Sequence, residues 1–121
     1  MASSIELSHL AGRDRAEVAL ETGLTYDGIT PVRLSVSKRD RRYGVTDRGR
    51  AIVTAGGTAA RVAFPDRIQV GNHEANVSKR GIVFLSAVAP TPMWLEMICE
   101  IVGRGSVALY EELLDVTLDE H

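Results

Sequence analysis

The chain of 121 residues has room for one domain built on one core, and its 45% hydrophobic and 25% charged residues are the ordinary mixture of a globular protein. A single cysteine, Cys99, excludes an internal disulfide and a multi-cysteine zinc site; with no continuous apolar run in residues 1–10, this predicts a cytoplasmic protein without signal peptide or membrane anchor. The net charge of −2 conceals a segregation: residues 1–30 carry a net −3, residues 31–81 a net +7 and residues 82–121 a net −6. Such a layout suits a nucleic-acid face, a basic face covered by the chain's own acidic helix, or pairing with another copy.

Residues 1–10 are expected to be a flexible lead-in. From 12 to 22 the chain lacks breakers, and Ala16, Ala19 and Leu20 recur at helical spacing before the stop signal Gly23, which predicts a short helix. Asp27-Gly28 marks a turn, and Pro31 leads into a strand at a position that needs no N–H.

Residues 32–49 form the hairpin around which the rest is organised. Val32, Leu34 and Val36, then Tyr43 and Val45, recur with the period of two of half-buried strands. A turn at Lys38-Arg39-Asp40-Arg41 sets Val36 opposite Tyr43 and Leu34 opposite Val45, with Arg33, Ser35, Ser37 and Arg42 on the other face. Asp47-Arg48-Gly49 ends the second strand, its carboxylate placed to accept N–H groups of the next two residues as an Asx-turn or N-cap.

Ile52, Ala55, Ala59, Val62 and Ala63 favour a middle helix interrupted at Gly56-Gly57, although residues 51–54 also suit a strand. Pro65-Asp66 and Gly71-Asn72 bracket a short edge strand at 67–70. A second hairpin comprises residues 75–79, a tight turn at Arg80-Gly81, and residues 82–88, an inner strand expected to be covered on each side because Ile82 to Leu85 are all apolar. Its register turns on a two- or three-residue loop and stays open.

Thr91 suits an N-cap and Pro92 the first position of a long helix running to about Leu118. Trp94, Ile98, Ile101, Gly105, Leu109 and Leu113 share one face, widened by Leu95, Val102, Val107, Leu114 and Val116. Gly103 and Gly105 mark either a break or a close-packing contact. Asp115, Asp119 and Glu120 put negative charge where the helix dipole disfavours it, which predicts a basic neighbour. The sum is an α+β domain: a small, mostly antiparallel sheet of two hairpins with a short N-terminal helix, a short middle helix and a long C-terminal helix.

Few residues point to catalysis. His73-Glu74 is the one histidine–acid neighbour pair, but His9 and His121 lie in expected tails, so a metal site lacks its second histidine. Cys99 falls between Ile98 and Ile101, the place of a small buried side chain. Ala55-Gly56-Gly57-Thr58 lacks the lysine of a phosphate loop. One cluster has wider reach: Arg33, Lys38, Arg39, Arg41, Arg42, Arg48, Arg50, Lys79 and Arg80 could form a basic binding face. Tyr43, the one aromatic among them, is expected to face inward, so a base-stacking platform is lacking. Trp94, with Met93 and Met97, begins a second candidate surface, an interface through Trp94, Ile98, Ile101, Gly105 and Leu109.

Val45-Thr46-Asp47-Arg48-Gly49 and the stretch Asn76-Val77-Ser78-Lys79-Arg80-Gly81-Ile82-Val83-Phe84 resemble small bacterial domains of actinobacterial type. In these a strand ends in an Asp-x-Gly turn, and a later Asn…Arg-Gly hairpin precedes a long C-terminal helix. The resemblance spans most of residues 12–118, implies a bacterial cytosolic origin, and brings no assigned activity or catalytic residue. The reading is a non-catalytic bacterial interaction domain without metal or cofactor, self-associating as a homodimer or binding a protein partner through the basic face or the long helix. A nucleic-acid-binding regulator or defence-related accessory protein using the same basic turns is the alternative, and a small hydrolase or metal enzyme comes third.

Overall fold

The computed structural model describes residues 15–56 and 64–119, the last five of them as backbone alone. The expectations for residues 1–10, for Ala59, Val62 and Ala63, and for the charges of Asp115, Asp119 and Glu120 lie outside what is described. Six strands, β1 (Arg15–Thr25), β2 (Pro31–Arg39), β3 (Arg42–Thr46), β4 (Arg67–Val70), β5 (His73–Val77) and β6 (Val83–Val88), form one antiparallel sheet in the order β1-β2-β3-β6-β5-β4. It consists of two three-stranded meanders joined where β3 pairs with β6. A short helix, α1 (Arg50–Thr54), follows the first meander, and a long one, α2 (Pro92–Asp119), crosses one face of the sheet. The architecture is α+β as expected: the edge strand expected at 67–70 is β4, which extends the second hairpin, whereas the first hairpin gains β1, a segment not expected as a strand.

The largest correction is at the start. Residues 12–22 were expected as a helix, yet β1 is the longest strand. Three small apolar residues give a short helix little to bury, and such helices are marginal in water. As a strand, the same segment turns Ala16, Val18, Leu20, Thr22 and Leu24 toward the core and Glu17, Ala19 and Glu21 outward. Gly23, expected to stop a helix, lies at φ 81° in an irregularity where the β1–β2 register shifts. Buried Thr22 ties the backbone there: its Oγ1 donates to the Val32 carbonyl at 3.0 Å and accepts from Leu24 N at 3.1 Å.

The central hairpin turns on two residues, Asp40 and Arg41, where four were expected. Val36 therefore pairs with Val45 and Lys38 with Tyr43. A slip of two keeps every side chain on its expected face. Asp40 supplies a left-handed φ of 57°, which aspartate tolerates better than most residues. The second hairpin closes with Lys79-Arg80-Gly81 between Ser78 and Ile82, whose backbones bond at 2.9 Å. β6 lies between β3 and β5 as expected for an inner strand, but α2 covers one face only. Val83 and Leu85 face the helix, while Phe84, Ser86 and Val88 face the other way, where no described element lies over them.

Thr91 caps α2, its Oγ1 accepting from Trp94 N at 3.2 Å and its carbonyl from Leu95 N at 2.9 Å. The helix runs unbroken through both glycines because they are its points of closest approach. A Cβ on Gly103 would meet Thr22 Cγ2 at 3.3 Å; one on Gly105 would meet Ala75 Cβ, Ile68 Cγ2 and Val83 Cγ1, each at 3.2 Å. Those neighbours come from opposite edges of the sheet, and α2 touches all six strands. The sheet is thus a cradle with the helix lying in it, packed on Leu20, Val32, Leu34, Val36, Val45 and Val83.

Candidate functional site

Strand direction sorts the cationic residues into two poles. The Asp40-Arg41 turn, the β4–β5 turn and the start of α2 lie at one end of the sheet; the bond from Ala89 N to the Arg41 carbonyl at 2.7 Å ties two of them together. The β1–β2 loop, the Asp47-Arg48-Gly49 turn and the β5–β6 loop lie at the other. Arg39, Arg41 and Arg42 therefore sit at the first pole, and Arg48, Arg50, Lys79 and Arg80 at the second. Arg33 lies along β2, paired with Glu21 at 3.1 Å. Lys38 is on the helix-facing side, its Nζ 5.7 Å from the centroid of the half-buried Tyr43 ring.

The first pole holds a row that the sequence did not disclose. Arg15 pairs with Arg39, Arg39 with Arg42, and Arg42 with Val88, so four strands contribute one line of side chains on the uncovered face. Like charges directly opposite one another destabilise a sheet. Among the described residues none of the three arginines lies within ion-pair distance of a carboxylate. Elsewhere on the same face charges are matched: Glu17 holds Arg48 and accepts from Ser35 Oγ at 2.6 Å, and Arg67 lies 3.6 Å from Glu74. Arg15 was missed because its segment was read as a helix.

At the same pole, on the helix-bearing side of the sheet, α2 begins with exposed apolar residues. Met93 is 77% and Trp94 43% exposed, Met97 is open as well, and Val88 at the end of the arginine row is 65% exposed. Trp94 stands edge-on to His73, ring centroids 6.4 Å apart. Helical period placed Trp94 inside, but in the first turn of α2 Leu95 takes the inner position and Trp94 is left 43% exposed at the sheet's end. A groove of about 260 Å3 runs between the β4–β5 turn and α2, lined by Val70, His73, Met97, Ile101, Glu100 and Arg104. Of the expected helix interface, Ile98, Ile101, Gly105 and Leu109 are buried beneath the chain's own sheet, which leaves Trp94 as its open member.

Beneath the second pole lies a buried polar chain. Asp47, wholly buried, continues β3 by side chain and backbone together. Its N donates to the Val83 carbonyl at 3.1 Å, and its Oδ1 accepts from Val83 N at 3.0 Å and Gly49 N at 2.9 Å. Its Oδ2 accepts from Ser106 Oγ at 2.6 Å. With that proton committed, Ser106 accepts from the Tyr26 hydroxyl at 2.7 Å. Burial pushes the Asp47 carboxyl above the usual aspartate range against the opposing pull of these bonds, and pushes Tyr26 up to about 12. The Asx-turn was expected; the contacts to Val83 and Ser106 were not. One signal was present in the sequence: a serine on the apolar stripe of a helix needs a partner.

The residues weighed for catalysis are not brought together. Cys99 is buried, and burial, with the charge of Glu96, raises its thiol to about 12, so the reactive thiolate is suppressed. His73 is exposed beside Trp94. Among the described residues no cluster of three His, Cys, Asp or Glu could hold a metal ion, and no helix is long and apolar enough to cross a membrane. Gly56 ends α1 at φ 101°, and Gly57 and Thr58 lie outside the described residues. No protein-family model matches the chain, and no curated protein and no solved structure is significantly similar to it.

Proposed function

We propose that the chain is a non-catalytic interaction domain that binds an acidic, partly apolar segment of a partner protein at the pole formed by the Asp40-Arg41 turn and the start of α2. The observation that carries this is the row Arg15–Arg39–Arg42–Val88, three cations with no carboxylate within ion-pair distance among the described residues, at the same pole as exposed Met93, Trp94 and Met97. Arginine, tryptophan and methionine are the side chains enriched in protein interfaces, where an apolar anchor is framed by charge. An acidic segment would neutralise the repulsion along the row, and its apolar residues would cover the methionines and the groove next to His73.

Trp94 is the single tryptophan and stands within the surface, so its fluorescence reports occupancy directly. A peptide of alternating glutamate and leucine is titrated against the native chain and an Arg39→Glu, Arg42→Glu variant. A saturable blue shift of Trp94 that the variant loses supports the reading; a shift that survives charge reversal overturns it. The nucleic-acid alternative is tested with a labelled DNA duplex. Salt-dependent binding that is lost in the variant, while the peptide fails, would transfer the arginine row to that class of partner.

A further inference from the structure

At the opposite pole the β1–β2 loop and α1 leave a depression of about 360 Å3. Small-molecule sites start at about 300 Å3, so the space suits a compact ligand. Part of its lining is apolar: Tyr26, Pro31 and Val53, the last 74% exposed on the five-residue α1. The Tyr26 hydroxyl is turned into the core onto Ser106 and the residue is largely buried, so it lends the depression an apolar floor rather than a polar group. Two guanidinium groups, Arg48 and Arg50, stand at the rim with Thr54. Glu17 holds Arg48 from the sheet side, whereas Arg50 has no carboxylate within ion-pair distance among the described residues. Asp27, the acid of the β1–β2 loop, is already satisfied by Ile29 N at 2.9 Å, Thr30 Oγ1 at 2.9 Å and Thr30 N.

We propose that this depression binds a small organic anion: an apolar ring bearing one phosphate or carboxylate, with the charged group on Arg50 and the ring on Tyr26, Pro31 and Val53. A guanidinium grips either oxyanion through two parallel N–H···O bonds. The adjoining uncovered apolar surface adds affinity that a bare inorganic ion cannot collect. Glu17 sets how much of the second cation is available, since Arg48 can turn toward the ligand only by leaving that carboxylate.

The test is a titration followed by the amide NMR signals of residues 50–54, with phenyl phosphate, benzoate, inorganic phosphate and phenol as probes. Phenyl phosphate or benzoate is expected to saturate, and the tighter of the two identifies the anionic group. Inorganic phosphate and phenol are each expected to bind about tenfold more weakly, because each offers only half of the recognition. Arg50→Gln should weaken the anion by about tenfold and Arg50→Lys by less. Glu17→Gln, by releasing Arg48, should tighten it. Val53→Glu, on the open side of α1, gives a second variant that leaves the core untouched and should abolish binding. The proposal is overturned if neither organic anion saturates, if phenol binds as well as they do, or if Arg50→Gln and Val53→Glu both leave binding unchanged.

Discussion

The Asp47 carboxylate and the Ser106 hydroxyl meet at 2.6 Å with no access to solvent, from positions 59 apart in the chain. The contact fastens the end of β3 to the middle of α2, and Oδ1 of the same carboxylate holds β6 and the turn into α1. Replacing Asp47 by Ala leaves Val83 N, Gly49 N and the Ser106 hydroxyl without their acceptor, and is expected to cost about 3 kcal/mol. Asp47→Asn keeps an acceptor for both amides and gives Ser106 a donor, so it should cost about 1 kcal/mol. The two variants also differ in pH dependence. Burial raises the folded-state pKa of Asp47, so just above the ordinary aspartate value the folded chain keeps a proton that the unfolded chain has released. Stability from this group is therefore greatest at the acid side of that window and is lost as pH rises through it. Denaturant midpoints at a series of pH values should fall through the window in the native chain relative to Asp47→Asn.

Tyr26 makes the corresponding alkaline prediction. Its folded pKa, pushed up to about 12 by burial, exceeds the ordinary tyrosine value of about 10. Between these values the unfolded chain loses the proton first, so stability falls as pH rises from the lower to the upper. Tyr26→Phe should remove that slope at a cost of about 1 kcal/mol for the lost bond to Ser106. A difference absorbance titration of the two proteins should place the missing phenolate near pH 12.

The glycines of α2 separate helix propensity from packing. Alanine gains up to about 1 kcal/mol over glycine in a helix interior. At Gly103 the added methyl meets the side-chain ends of Thr22 and Leu24 at 3.3 and 3.4 Å, which can yield, so Gly103→Ala should be close to neutral. At Gly105 it meets three strands at 3.2 Å at once, including the immovable Cβ of Ala75. Gly105→Ala is expected to lose about 1–2 kcal/mol despite its better propensity, read as a lowered Tm.

Cys99 serves as a reporter of opening. Buried, with its thiol raised to about 12, it should react with a thiol reagent only from an opened chain. The modification rate should rise with denaturant along the slope of global unfolding. Rapid labelling in buffer would contradict the burial.

Much of this fold was legible where the determinants are local. The period of two in Val32 to Val36, the Asp-x-Gly turn and the Thr91-Pro92 cap each specify their element within a few residues. What failed was segment 12–22, whose stripe of Ala16, Ala19 and Leu20 fits a helix and whose alternation fits a strand; pairing with β2 decides it. The arginine row went unseen for the same reason, since Arg15 faces Arg39 only once β1 is a strand. Apparent unity of the basic cluster also dissolved, because successive turns of an antiparallel sheet point to opposite ends. No spacing rule could have joined Tyr26, Asp47 and Ser106, which meet only through the tertiary fold.

The cradle around α2 has a consequence for the order of events on the ribosome. Synthesis proceeds at about 5–20 residues per second, and all six strands leave the exit tunnel before the helix that fills them. Until the segment around Gly105 emerges, the inner faces of Val32, Leu34, Val36, Val45 and Val83 have nothing to close over, and the nascent sheet leaves its apolar face open to water. A chain stalled or cut between Val88 and Gly105 would thus be destined for degradation rather than for a smaller folded product, making α2 the checkpoint at which translation becomes folding.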